Sequence, residues 1–178
     1  MERDLLSDVE PAVAGPARSW KRAALAAAAI CLADQAFKSL VMARLAPREA
    51  RWLVPGVLSV RHRHNPGAAF GRLSALTDWQ HALLLCALPL AALALALWFA
   101  RHLGGSHRRL VLAIGLIAGG AASNLLDRIV RGFVVDYVSF FAKNAMVPTY
   151  NVADFAIIAG IVLVLWSALV AGVAEGRH

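Results

Sequence analysis

The sequence predicts a mainly α-helical integral membrane protein with four spanning helices and a small β-structure outside the bilayer. Three observations predict it. Hydrophobic residues make up 60% of the 178 positions and mean hydropathy is +0.62, whereas a soluble domain carries about 45–50% apolar residues. Four apolar segments reach the length, about 20 residues, that a helix needs to cross the hydrocarbon. Basic residues flank those segments, as topology signals and headgroup contacts do. The net charge of +7 would suggest nucleic acid in a soluble chain. No aromatic–basic interleaving accompanies it, so membrane lipid, and no nucleic acid, is the expected partner. Cys31 and Cys86 both sit in apolar stretches and read as small core residues.

Residues 1–19 are polar, mixed in charge and contain Pro11 and Pro16. They read as a disordered cytoplasmic tail, with no A-x-A cleavage site in a polar stretch behind the following apolar run. Residues 20–174 read as one four-span domain. Its first segment, Ala23–Ala43, is interrupted by Asp34, Gln35 and Lys38. The connection after it holds Trp52-Leu-Val-Pro55-Gly56-Val57-Leu-Ser-Val60, two short extended pieces around a Pro-Gly turn. This is the predicted outer β-structure, within residues 45–78. Asn65-Pro66-Gly67 is a second turn. The second segment, His81–Ala100, carries Pro89 and is expected to kink there. The third, Leu110–Leu126, leads into Asp127-Arg128. The fourth is Phe155–Ala174, and residues 175–178 form a second cytoplasmic tail.

Lys21-Arg22, and Arg101, Arg108 and Arg109 in the short second connection, put both termini inside by the positive-inside rule. The arginines of the first connection, Arg44 to Arg72, run against that rule, and headgroups are their expected partners. The first and third connections then share the outer face. Asn65, Asp127, Asp136 and Asp154 can meet there.

Asp136 and Asp154 lie among apolar neighbours, in Phe133-Val-Val-Asp136-Tyr137 and Tyr150-Asn-Val-Ala-Asp154-Phe155. Two nearby carboxylates cannot both ionise cheaply, so one keeps a proton and one serves as base. A second reading also stands: Asn151 as helix N-cap, Asp154 at the third helical position and Asp136 an ordinary loop acid. Asp127 is a rival partner for the dyad, or a buried ion pair with Arg128 or Arg131. Asp34 and Lys38, four apart, read as a mutually neutralising pair within the span. Asn65 holds a substrate backbone or serves its turn. His62 and His64 sit in a basic loop without metal-ligand spacing, so neither metal nor cofactor is expected. A proton-coupled transporter would set its acids along a path through the bilayer, whereas these cluster towards one surface.

Five stretches, in order, resemble the lipoprotein signal peptidases (signal peptidase II). They are Ala33-Asp-Gln-Ala-Phe-Lys38, Asn65-Pro-Gly-Ala-Ala-Phe-Gly71, Gly119-Gly-Ala-Ala-Ser-Asn-Leu-Leu-Asp-Arg128, Gly132-Phe-Val-Val-Asp136 and Tyr150-Asn-Val-Ala-Asp154. The resemblance implies an intramembrane aspartyl endopeptidase of the bacterial inner membrane; a monomer is the expected state. It would cut the signal peptide from a diacylglyceryl-modified prolipoprotein before the lipidated cysteine, near the outer face. It implies Asp136 and Asp154 as the catalytic pair. Asn65, Asn124, Arg128, Asn151, Asp34 and Asp127 take binding or supporting positions. It implies four spans, an outer β-cradle and a short amphipathic loop helix. Ser123 departs from the glycine the family often has there, a change expected to be tolerated.

Overall fold

The structure is a computed structural model and describes residues 16–66, 108–142 and 145–175, with positions 87, 90–95 and 97–98 between them. Three helices dominate: α1 (Pro16–Arg44), α2 (Arg108–Arg131) and α3 (Val152–Glu175). Each is long and apolar enough to cross a membrane. Four strands join them: β1 (Ala50–Val54), β2 (Leu58–Asn65), β3 (Val134–Ala142) and β4 (Ala145–Tyr150). The strands make one antiparallel sheet in the order β1-β2-β3-β4.

The helices are apolar outside and polar inside. Leu25, Leu32, Ile129, Val162, Trp166 and Leu169 are exposed, whereas Asp34, Lys38, Ser123, Asn124 and Asp127 are buried. Lipid as the outer solvent explains the first set, and mutual hydrogen bonding must explain the second. α2 packs between α1 and α3. Small residues permit the close approach, as in membrane helix pairs generally. A Cβ on Gly119 would lie 2.5 Å from the Ala27 carbonyl oxygen of α1, and one on Gly120 would lie 2.4 Å from that of Ala153 in α3. Below these contacts, Leu110, Ile114, Ile117 and Val164 form an apolar core, against which Ala92, Leu93 and Leu97 pack.

The structure departs from the sequence reading at several places. The chain is already helical at Pro16, inside the stretch read as a tail. The sheet is not confined to residues 45–78, because the third connection supplies β3 and β4 and so half of its strands. The turn that makes this possible is Gly132. Its φ of 77° is open to glycine at no steric cost, and its N–H caps the Arg128 carbonyl at 3.1 Å. The chain reverses there and β3 runs back beside β2. The Pro-Gly turn stands as expected, between β1 and β2. The expected loop helix, the Pro89 kink and most of the second apolar segment lie outside the described residues.

Adding a methyl group at Gly119 should therefore push α1 off α2. Gly119→Ala is expected to lose about 1–3 kcal/mol, the usual cost of overpacking. Ala122→Val, on an exposed position of the same helix, should leave the thermal midpoint in detergent within a degree or so of the parent. Equal midpoints for Gly119→Ala and the parent would contradict the packing described.

Candidate functional site

The site forms where the sheet meets the C-terminal halves of α1 and α2 and the N-terminal end of α3. Sheet register brings Asn65 opposite Val134 at the end of β2, and Asp136 follows two residues along β3. The Asn65 side-chain amide donates to Asp136 Oδ2 at 2.9 Å. Asn151 follows β4 directly and precedes α3. Its Nδ2 donates to Asp136 Oδ1 at 2.9 Å, and its backbone N–H donates to Asp154 Oδ2 at 3.1 Å. In return, the Asp154 N–H donates to Asn151 Oδ1 at 2.9 Å.

That reciprocal pair is a capping box, with the acid at the third helical position. The capping reading of Asp154 and the dyad reading are thus compatible. The contact that starts α3 also fixes the Asp154 carboxylate, and the same asparagine holds Asp136. A single residue, itself fully buried, ties both carboxylates together.

Asn124 completes the shell. Its Nδ2 donates to Asp154 Oδ1 at 2.9 Å. Its Oδ1 accepts from Lys38 Nζ at 2.9 Å and from Asn151 Nδ2 at 3.2 Å. A lysine can only donate, so Lys38 determines which end of the Asn124 amide points at Asp154. Lys38 also contacts Asp34 Oδ2 at 2.6 Å and Asp127 Oδ2 at 3.0 Å, all three side chains being fully buried. Arg131 pairs with the other Asp127 oxygen, and Gln35 donates to that oxygen at 2.9 Å. Asp127 Oδ2 also accepts from the Val135 N–H at 3.0 Å, fastening the start of β3. Asp34 accepts from Ser123 Oγ at 2.7 Å and from the Tyr137 hydroxyl at 3.1 Å.

The eight residues singled out in the sequence separate into layers. Asp136, Asp154, Asn65, Asn124 and Asn151 share one hydrogen-bonded cluster. Asp34 and Asp127 form a second layer behind it, linked through Lys38. Arg131, not Arg128, is the ion-pair partner of Asp127. Arg128 Nη1 donates to the Asn124 carbonyl at 3.3 Å, and its buried Nε has no partner among the described residues. Ser123 is more than a tolerated substitute for glycine, since it bonds Asp34 and accepts from Gln35 Nε2 at 3.0 Å.

Sequence reasoning read Lys38 only as a counter-charge for Asp34, left Arg131 as one of two possible partners of Asp127, and gave Gln35 and Tyr137 no role. The spacings of Asp34 to Lys38 and of Asp127 to Arg131, each four residues, carried the signal for the charged members. No pattern in the sequence marks Tyr137. Its ring stacks on Phe37, and its hydroxyl accepts from the Val152 N–H at 3.1 Å.

Asp136 is 3% exposed. Burial, and then the charge of Asp154, push its carboxyl from the ordinary 3.8 up to about 7. Two amide donors on the carboxylate oppose that rise without cancelling it. The site can therefore keep a proton on a carboxyl at neutral pH beside a second carboxylate, which is the equipment of general acid–base hydrolysis.

Such a pair, at the junction of membrane-length helices and a small sheet, is compatible with a membrane-embedded hydrolase. Comparison with known proteins narrows it. The family described as Signal peptidase (SPase) II matches residues 26–170. The lipoprotein signal peptidase of Pseudoalteromonas translucida (strain TAC 125) is 38% identical over 139 residues, 78% of this chain and 82% of that protein. That of Shewanella baltica (strain OS155 / ATCC BAA-1091) is 36% identical over 161 residues, 88% of this chain and 93% of its own. Two bacterial membrane enzymes solved by the in meso method share the fold. One has a TM-score of 0.66 at 23% identity, covering 84% of this chain and 88% of its own, and the other 0.67 at 21%, covering 84% and 93%. The chain belongs to the signal peptidase II family of membrane peptidases.

The raised Asp136 has a signature in stability. Below about pH 4 the folded and unfolded states both hold its proton. Between about pH 4 and about 7 only the folded state does, so this group makes stability fall as pH rises. Asp136→Asn removes that slope. The thermal midpoint of the variant minus that of the parent should grow from pH 4 to pH 7.5, and a difference independent of pH would contradict the assignment.

Proposed function

We propose that this chain is an aspartyl endopeptidase that removes the signal peptide from diacylglyceryl-modified prolipoproteins, cutting before the lipidated cysteine. The observation that carries the chemistry is the double attachment of Asn151, side chain to Asp136 and backbone to Asp154. The substrate class comes from the names of the relatives, each called a lipoprotein signal peptidase. A second apolar helix over His81–Ala100 makes a four-span bundle, supported by the packing of Ala92, Leu93 and Leu97 on the apolar core. With both termini cytoplasmic, the site lies near the outer face of the bacterial inner membrane. The protein works there as a monomer.

In this mechanism the substrate helix enters from the bilayer and unwinds at the site, because a helical peptide bond is shielded by its neighbours. Its acyl chains remain in hydrocarbon, a gain of about 0.8 kcal/mol per buried CH₂. Asp136 holds the shared proton and Asp154 is ionised. Asp154 takes a proton from water, and the hydroxide so formed adds to the scissile carbonyl. Asp136 supports the oxyanion and donates its proton to the departing cysteine nitrogen as the C–N bond breaks. The proton on Asp154 returns to Asp136 or to solvent, and the pair is restored. Asn124 and Asn151 keep the two carboxylates apart and oriented throughout. The buried Arg128 Nε is a donor for the extended substrate backbone.

The test is cleavage of a diacylglyceryl-modified precursor by purified protein in detergent, followed by gel shift. Asp136→Asn and Asp154→Asn should each lose turnover by at least about 10³-fold, as loss of one member of a catalytic unit does. Asp127→Asn should retain measurable activity. The parent rate should fall as pH rises through about 7, where Asp136 gives up its proton. An active Asp136→Asn would overturn the dyad. A folded parent that leaves the precursor uncut, while a characterised peptidase cuts it, would overturn the substrate.

A further inference from the structure

A second polar concavity lies on the sheet and adjoins the dyad along β2, where Arg63 stands opposite Asp136 in register. It has a volume of about 360 Å³ and is lined by Arg48, Arg61, His62, Arg63, His64 and Thr149, with Pro47 at its rim. Among the described residues neither Asp136 nor Asp154 nor any other acidic side chain lines it. Glu49 is next in sequence, but its carboxylate is occupied by Arg51 at 3.1 Å and by the Ala46 N–H at 2.8 Å. Among the described residues the guanidiniums of Arg48 and Arg63 have no hydrogen-bond or ion-pair partner. Converging cations without a counter-charge repel one another and create a strong local field for an anion.

The concavity is held by the backbone. Arg48 adopts a φ of 70°, a left-handed conformation that a non-glycine residue occupies only under constraint. The constraint is its N–H donating to the His62 carbonyl at 2.8 Å, with the His62 N–H donating to Glu49 O at 3.0 Å. His62 Nδ1 donates to the Leu45 carbonyl at 2.8 Å, since a carbonyl only accepts. In the neutral pair His64 Nε2 must then donate to His62 Nε2, 3.1 Å away. Thr149 is 7% exposed and its buried hydroxyl has no hydrogen-bond partner among the described residues. A buried, unsatisfied hydroxyl among arginines is a donor placed for an oxyanion.

What supplies the anion is indicated by the neighbouring surface. On β1 and in the turn after it, Trp52 is 49% exposed, Leu53 62%, Val54 47% and Val57 55%. An edge strand this apolar would aggregate in water. A tryptophan with aliphatic neighbours suits the membrane interface. The strand follows α1, a candidate span, by only a short loop. We propose that the concavity binds the phosphate of an anionic lipid headgroup, with the apolar tip of the β1–β2 hairpin in the adjoining acyl region. The ligand class is a phosphodiester, and a lipid rather than free phosphate is its source. The inference does not rest on the peptidase reading, because it uses none of the dyad residues. It gives the outer arginines, which oppose the charge rule for topology, a reason to be there.

The test titrates full-length protein in neutral detergent with dihexanoylphosphatidylglycerol, dihexanoylphosphatidylcholine and inorganic phosphate, read by calorimetry. The phosphatidylglycerol should bind saturably, the phosphatidylcholine should not, and phosphate should bind at least about tenfold more weakly than the lipid. The double variant Arg48→Gln/Arg63→Gln should weaken the lipid by about tenfold or more, as loss of charge-assisted bonds does. Its thermal midpoint reports folding. Unchanged lipid binding in the folded double variant, or phosphatidylcholine binding as well as phosphatidylglycerol, overturns the site. Phosphate binding as tightly as the lipid overturns the lipid source. If the double variant does not fold, a photoactivatable phosphatidylglycerol on the parent decides: labelling within residues 48–64 supports the site, and labelling confined elsewhere overturns it.

Discussion

The Lys38 ammonium is the charge on which the rest of this structure depends. It is fully buried in a helix surrounded by lipid, and it has three acceptors for its three hydrogens: Asp34, Asp127 and Asn124. An isolated charge there would be prohibitive. Two carboxylates for one ammonium would leave an excess negative charge, which Arg131 offsets on the other Asp127 oxygen. The cluster joins α1 to α2 and, through Val135 N–H and Tyr137, to β3. It therefore fixes where β3 begins, and with it the position of Asp136.

The same cation acts on the proposed chemistry through one amide. With the Asn124 oxygen drawn to Lys38, the nitrogen of that amide is the end presented to Asp154. Asp154 accepts one donor from this amide and one from its capping partner, Asn151. Asp136 accepts donors from Asn65 and Asn151. Among the described residues each carboxylate is held by two neutral donors, and no cation contacts either directly. Amides orient a carboxylate without forcing it to remain ionised, whereas an arginine at that distance would hold its pKa low. Burial and the charge of Asp154 raise the Asp136 carboxyl, and Lys38, which reaches it only through Asn124 and Asn151, lowers it without cancelling that rise. Second-layer groups of this kind supply much of the precision of a functional site.

The sequence made the helices legible, because twenty-residue apolar runs have few other interpretations. It also marked the five polar residues of the innermost cluster. Asp136 and Asp154 each stood alone among apolar neighbours, and Asn124 and Asn151 each stood three residues before an aspartate. The β1–β2 hairpin was legible from its Pro-Gly turn. The strands β3 and β4 were not. Val134 to Ala142 is apolar on both faces, so it lacks the alternation that marks a half-exposed strand, and its partner β2 is distant in sequence. The role of Tyr137 was hidden for a similar reason. Its hydroxyl reaches Asp34, 103 positions away, and no local pattern records such a contact. Arg128 and Arg131 were both in reach of Asp127 by spacing. Only the built helix shows that the residue four positions on is the one that faces it.

Replacing Lys38 tests this account most directly, since one substitution removes the cation and keeps the length of the side chain. Lys38→Met leaves Asp34 and Asp127 buried beside a methyl group. Breaking a buried ion cluster from one side costs about 3–5 kcal/mol, so the thermal midpoint of the purified variant should fall steeply. In whatever fraction folds, turnover should fall more than substrate binding does, because Asn124 is free to turn its oxygen towards Asp154. A Lys38→Met protein with the thermal midpoint and turnover of the parent would contradict the account, and the origin of the site's order would have to be sought elsewhere.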